Sequence, residues 1–298
     1  MIRPQSLAPG DTVLFTSTAR KISPEELEPA IAWLEKNGLK WEKAPGLHEV
    51  ENQFAGNDET RRKALQWCLD HPTARAIWCC RGGYGTVRIV DELNWEGFAQ
   101  NPKWIIGYSD VTALHGEASR FGYSTLHATM PINVNSNTEL ALDSLKQALF
   151  SRAIDLSARP HELNQPGTAE GVLVGGNLSM LYSILGSTSQ PNLDGNILFI
   201  EDLDEYLYHI DRMMMNFRRN GWFDKISGLV VGGMTAMNDN TVSFGEHAEE
   251  IIARHLKPFK IPVGFGFPIG HLEDNRAVEI GARVRLEVDG GARLIYGD

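Results

Sequence analysis

Ala76-Ile77-Trp78-Cys79-Cys80-Arg81-Gly82-Gly83-Tyr84-Gly85 joins an unbroken apolar run to a loop with three glycines in four residues. Apolar residues without alternation suit a strand buried on both faces, as in a parallel sheet. The neighbouring segments repeat the same alternation of helix and strand. Upstream, Asp58 to His71 is a charged amphipathic helix, and Val13 to Thr16 is a short buried strand. Between them, Ser23-Pro24-Glu25-Glu26 offers an N-cap, a proline at the first helical position and a capping-box glutamate. These signals predict a helix over Pro24 to Asn37, stopped by Gly38, and then a strand over Leu39 to Lys43. Downstream, Val87 to Leu93 is read as a helix, Trp104 to Tyr108 as a strand, and Asp110 to Arg120 and Glu139 to Phe150 as helices. Strands alternating with helices in this way indicate a doubly wound α/β domain.

Ser157 to Thr168 is rich in polar residues, proline and glycine, and is read as the linker between two domains, 1–158 and 159–298. The second half mixes strands and helices. Its apolar runs are Gly171 to Val174, Ile197 to Ile200, Gly228 to Val231 and Ile261 to Phe265, and Asp289-Gly290-Gly291 between alternating segments signals a late hairpin. Met213-Met214-Met215, with Ile210 and Phe217 at helical spacing, reads as a core face. A length of 298 residues suits two domains or one large α/β domain.

Composition narrows the function. Hydrophobic residues are 42% and charged residues 22%, ordinary for a folded chain. The net charge is -10, the pI is near 5.4, and Lys and Arg are scattered, which argues against nucleic acid as a partner. No apolar stretch is long enough to span a bilayer, and Met1 to Gln5 does not read as a secretory signal. The cysteines, Cys68, Cys79 and Cys80, are odd in number and two are adjacent in an apolar run, so reduced thiols and a cytoplasmic location are expected. His115 and His127 have no paired ligand motif, so no metal is expected, and no cofactor either.

Gly107-Tyr108-Ser109-Asp110-Val111 places a serine where a strand turns into a helix, which is the mechanical arrangement of a nucleophile elbow. Val111 stands where the second glycine of Gly-x-Ser-x-Gly would be, and Ser109 or Asp110 reads equally well as a helix N-cap. The loop Arg81 to Gly85 lets backbone N–H groups approach an anion or a developing oxyanion. It lacks the third glycine of a dinucleotide site at the expected spacing. Glu201 ends an apolar strand within an acidic stretch, and His271 lies in a loop of glycines and aromatic residues. Neither carries an assignment alone.

Together these segments resemble the LD-carboxypeptidase family of serine peptidases, the murein tetrapeptide carboxypeptidases, which includes microcin C self-immunity peptidases. The similarity runs through Phe54-Ala55-Gly56-Asn57-Asp58-Glu59, Arg81 to Gly85, Gly107 to Asp110, Gly175-Gly176-Asn177-Leu178, Leu198 to Asp202, Ile210-Asp211-Arg212-Met213, and Gly270-His271 with Asn275 and Gly281. The resemblance implies an N-terminal Rossmann-like doubly wound parallel sheet bearing the nucleophile Ser109. It also implies a C-terminal mixed α/β domain supplying the general base His271 and the orienting Glu201, a cleft between the two, and a homodimer. Gly82, Gly83, Asp110, Arg81 and Asn177 are the expected oxyanion-hole and substrate-binding residues, with Arg81 or a cluster of backbone amides as the anchor for a substrate carboxylate, although Arg81 reads equally well as a buried brace of the glycine loop. The implied substrate is a murein tetrapeptide cleaved between its diamino acid and terminal D-alanine.

Two alternatives stand beside this. One is the same mechanism acting on an acyl-nucleotide antibiotic. The other is a non-catalytic α/β protein in which Ser109 caps a helix and Gly82 to Gly85 cradles a ligand. Glu279 departs from the family pattern, where many relatives have proline.

Overall fold

The computed structural model describes residues 1–152 and 155–297. In the first half, the elements are β1 (Thr12–Thr16), α1 (Pro24–Lys36), β2 (Lys40–Lys43), α2 (Asp58–Asp70), β3 (Ala76–Cys79), α3 (Glu96–Gln100), β4 (Trp104–Gly107), α4 (Thr112–Arg120), β5 (Thr125–His127) and α5 (Glu139–Phe150). Strands β2, β1, β3, β4 and β5 lie side by side in that order, all parallel. Apolar cores form on both faces of this sheet. One joins Leu27 and Leu34 of α1 to Leu145 and Leu149 of α5, and the other gathers Leu65, Leu69, Phe98 and Leu114. This is the doubly wound sheet expected from the alternation. The chain order reverses between β1 and β3, and in such sheets a crevice opens at the carboxyl ends of the strands at that point.

The second half comprises β6 (Leu156–Ala158), β7 (Gly167–Asn177), α6 (Leu178–Ser183), β8 (Ile197–Leu203), α7 (Leu207–Arg219), α8 (Trp222–Lys225), β9 (Gly228–Thr235), α9 (Ala248–Leu256), β10 (Val263–Gly264), β11 (Val278–Ile280), β12 (Arg283–Val288) and β13 (Ala292–Tyr296). Its sheet is mixed, ordered β10-β9-β8-β7-β12-β13-β6. β7 joins the parallel and antiparallel parts: Gly167 to Val172 pair antiparallel with β12, and Leu173 to Asn177 pair parallel with β8. The hairpin expected at Asp289-Gly290-Gly291 joins β12 to β13.

Several local expectations are corrected. Val87 to Leu93 is not one helix but two short 3-10 turns, Thr86–Arg88 and Val90–Glu92. Thr86 is committed elsewhere, its N–H to Asp110 Oδ2 at 2.9 Å and its hydroxyl to Thr18 at 2.7 Å, and the β-branched run has weak helical preference. The segment read as a linker begins inside a strand. Ser157 and Ala158 pair with β13 at the edge of the second sheet, and Gly167 already belongs to β7. Of the three methionines, Met213 and Met214 are buried while Met215 faces solvent. β11 comes from the second half of the chain yet pairs antiparallel with β5, completing the edge of the first sheet.

Candidate active site

Ser109 follows β4 in a left-handed backbone conformation, φ 64°, that non-glycine residues rarely adopt. Such strain concentrates at functional sites. The turn is tight because β4 ends in Gly107. A Cβ there would meet Val111 Cγ2 at 2.9 Å, so Val111 packs over the glycine from the position where the motif lacks its second one. The N–H of Asp110 lies in the first turn of the helix that follows, where it has no partner inside the helix. Gly82 lies directly beside this turn: a Cβ on it would stand 3.0 Å from Ser109 Cβ, 3.2 Å from its Oγ and 3.5 Å from Asp110 N. The glycine loop and the serine turn are therefore in van der Waals contact.

Two buried side chains hold these loops. Asp110 is fully buried and accepts the Thr86 N–H just beyond the glycine loop. Burial pushes its carboxyl pKa up, against the Thr86 and Gly85 bonds that favour the charge. Arg61 of α2, 1% exposed, donates to Thr18 O at 2.7 Å and Gly85 O at 3.0 Å, and pairs with Asp58. It thus ties the loop after β1 to the loop after β3. The Asn57-Asp58 motif serves this brace, since Asn57 caps α2 and Asp58 also binds Arg88.

Glu201 comes from β8 and is completely buried. Its Oε2 accepts from His271 Nδ1 at 2.7 Å and from the His271 backbone N–H at 3.2 Å. A carboxylate can only accept here, so Nδ1 carries the proton and Nε2 is left as the acceptor. Gly270 makes this approach achievable: its φ is 105°, and a Cβ there would stand 2.5 Å from Glu201 Oε2. Asn275 Oδ1 accepts the Gly270 N–H at 2.8 Å, and the Tyr108 ring meets the imidazole edge-on, centroids 4.8 Å apart. Burial alone would lower the His271 pKa. The Glu201 charge, its hydrogen bond and the Asp202 charge outweigh burial and hold the pKa above the usual imidazole range.

Ser109 and His271 face one cleft of about 420 Å³ between the two sheets. Arg20, Arg81, Gly82 and Gly83 line it from the first sheet, and Asn177, Ser179, Asp202, Asp204 and Glu205 from the second. All the residues expected at the site except Glu201 and Asp110 line the cleft, and those two lie buried behind it. Arg81 is engaged by Glu26 at 3.3 Å. Asn177 is more a structural hub than a free ligand. Its Oδ1 accepts Met180 N–H at the start of α6 and the Ser179 hydroxyl, its Nδ2 donates to Asp202, and its N–H binds Thr112 Oγ1 of α4.

Sequence reasoning missed Arg20 and the acidic wall. Asp202 is buried against three donors, from Asn177, Ser179 and Leu203, and burial together with the Glu201 charge raises its pKa to about 7. Consecutive strand residues normally face opposite ways, but the pairing of β8 with β9 shifts register between Ile200 and Asp202. Local alternation therefore could not place both acids. Arg20 carried no motif; only the order of the strands brings its loop here.

Comparison with known proteins gives a consistent identification. Residues 13–128 match the LD-carboxypeptidase N-terminal domain and residues 170–286 the LD-carboxypeptidase C-terminal domain. A putative carboxypeptidase of Streptomyces coelicolor is 33% identical over 98% of this chain and 95% of its own length. The crystal structure of muramoyltetrapeptide carboxypeptidase from Oxalobacter formigenes superposes with a TM-score of 0.87 at 25% identity, covering 96% of this chain and 99% of that one. The microcin C7 self-immunity protein MccF in complex with aspartyl sulfamoyl adenosine shares the fold, with a TM-score of 0.89 at 22% identity over 100% of this chain and 99% of that one.

Proposed function

Because the chain belongs to the LD-carboxypeptidase family, we propose that it is a serine carboxypeptidase that releases terminal D-alanine from peptidoglycan tetrapeptides. The bond cleaved is the L,D-peptide bond to the diamino acid. Ser109 is the nucleophile, His271 the general base and Glu201 the residue that orients the imidazole. The observation that carries this reading is the 2.7 Å bond from His271 Nδ1 to the buried Glu201, in a cleft that Ser109 shares.

A serine hydroxyl attacks an amide only when a base takes its proton. Ser109 Oγ would add to the carbonyl carbon of the diamino acid as its proton passes to His271 Nε2. The oxyanion would be met by the N–H of Asp110 and one from Gly82 or Gly83, in the angle where these loops touch. Collapse breaks the C–N bond, and the imidazolium returns its proton to the leaving amine of D-alanine. Water then repeats the sequence on the acyl-enzyme, with His271 again as base. Murein recycling in the cytoplasm is the setting we propose. Its support is that Cys68, Cys79 and Cys80 are free and buried, and that among the described residues no helix is long and apolar enough to cross a membrane.

The test is mass spectrometry of L-alanyl-D-glutamyl-meso-diaminopimelyl-D-alanine incubated with the protein and with Ser109→Ala. Release of D-alanine by the unmodified protein alone is expected. Release by both would remove Ser109 from the mechanism, and turnover of a peptidyl-adenylate instead of the tetrapeptide would replace the substrate.

A further inference from the structure

A carboxypeptidase must recognise a free carboxylate beyond the bond it cuts, and the cleft offers few groups that can do so. On the wall from the second sheet the charged lining residues are Asp202, Asp204 and Glu205, all acids. A substrate carboxylate is repelled from that side. The opposite wall carries Arg81 and Arg20. Arg81 already has an acid partner in Glu26, whereas Arg20 has no ion-pair partner among the described residues.

Arg20 is held in position without being neutralised. Its backbone N–H donates to Gly82 O at 3.4 Å, and it bridges to Phe54 on the other side. Its side chain lies across Gly83: a Cβ on that glycine would stand 2.7 Å from Arg20 Cδ and 2.8 Å from Nε. The neighbouring Gly82 is in contact with Ser109 in the same way. Arg20, the glycine loop and Ser109 therefore form a continuous strip along one wall, with the guanidinium exposed to the cleft at its end. From this we infer that Arg20 is the specificity residue that binds the terminal carboxylate of the departing amino acid. Arginine suits the task, since its planar fork matches a carboxylate and keeps its charge at every working pH. The inference rests on the carboxypeptidase reading of the cleft.

The experiment measures kcat and KM for the tetrapeptide as free acid and as C-terminal amide, in the unmodified protein and in Arg20→Gln, Arg20→Lys and Arg81→Gln. Arg20→Gln is expected to raise KM for the free acid by about tenfold or more with a smaller change in kcat, and to erase the preference for acid over amide. Arg20→Lys should recover part of that preference, and Arg81→Gln should keep it. If Arg20→Gln keeps the full preference, or Arg81→Gln is the variant that loses it, Arg20 is not the anchor while the peptidase reading stands. If the unmodified protein cleaves neither peptide, the peptidase reading fails and this assignment with it.

Discussion

Glu201 and His271 show how one buried charge sets the working range of a site. His271 can accept the Ser109 proton only when neutral, and the Glu201 charge raises its pKa from the ordinary imidazole value. The acid limb of kcat/KM is therefore expected at higher pH than an unperturbed imidazole would give, with activity rising as pH rises through it. Glu201→Gln removes the charge, so the limb should move to lower pH while kcat falls by roughly 10⁴-fold, as for a triad that loses its orienting carboxylate. A pH–rate profile of both proteins decides this, and a limb that stays in place after the substitution removes Glu201 from the pair. The same pairing affects stability with a definite sign. A histidine whose folded pKa is raised contributes stability below its unfolded value, and that contribution is lost as pH rises through the folded value.

At the scale of the elements, the cleft depends on loops that follow β1, β3 and β4, and these are held by side chains that never face substrate. Arg61 of α2 is the main brace, satisfying the buried carbonyls of Thr18 and Gly85. Arg61→Met leaves Thr18 O unpaired, while Gly85 O keeps the Arg88 N–H at 3.1 Å, and should cost about 1–3 kcal/mol of stability, measured by urea unfolding. Asp58 keeps Arg88 and is not stranded. Activity should fall even where the variant remains folded, because Gly82 and Ser109 are placed by the same loops. Unchanged stability would mean that the loops hold themselves.

Across the whole molecule the two sheets are stitched together rather than merely adjacent. Val278 to Ile280 complete the first sheet, and three residues later Arg283 begins β12 in the second. Hydrogen bonds cross at Asn177 to Thr112, Ser189 to Glu117 and Ala277 to Ser144, and His127 packs edge-on to Phe199 with ring centroids 5.0 Å apart. A single unfolding transition is expected. Six of the seven tryptophans lie in the first half and Trp222 is the exception. Fluorescence of Trp222→Phe should thus follow the first half, with the same urea midpoint as far-UV circular dichroism of the whole chain. Separate midpoints would show that the halves unfold independently.

What could be read from the chain alone was whatever local chemistry dictates. The capping box at Ser23 and Glu26, the unalternating run Ala76 to Cys79 and the hairpin glycines place their elements by short-range geometry. The family motifs marked Ser109, Glu201 and His271 by their order, with no knowledge of distance. The tertiary structure decided the rest. A buried arginine, a strand order that reverses between β1 and β3, and a β-strand returned to the first sheet are long-range choices, made where buried polar groups must find partners. Val87 to Leu93 forms two 3-10 turns instead of one helix, in a β-branched run anchored through Thr86 to Asp110 and Thr18. Arg20 went unseen for a related reason: no neighbour in sequence reveals which wall of a cleft an exposed side chain will line.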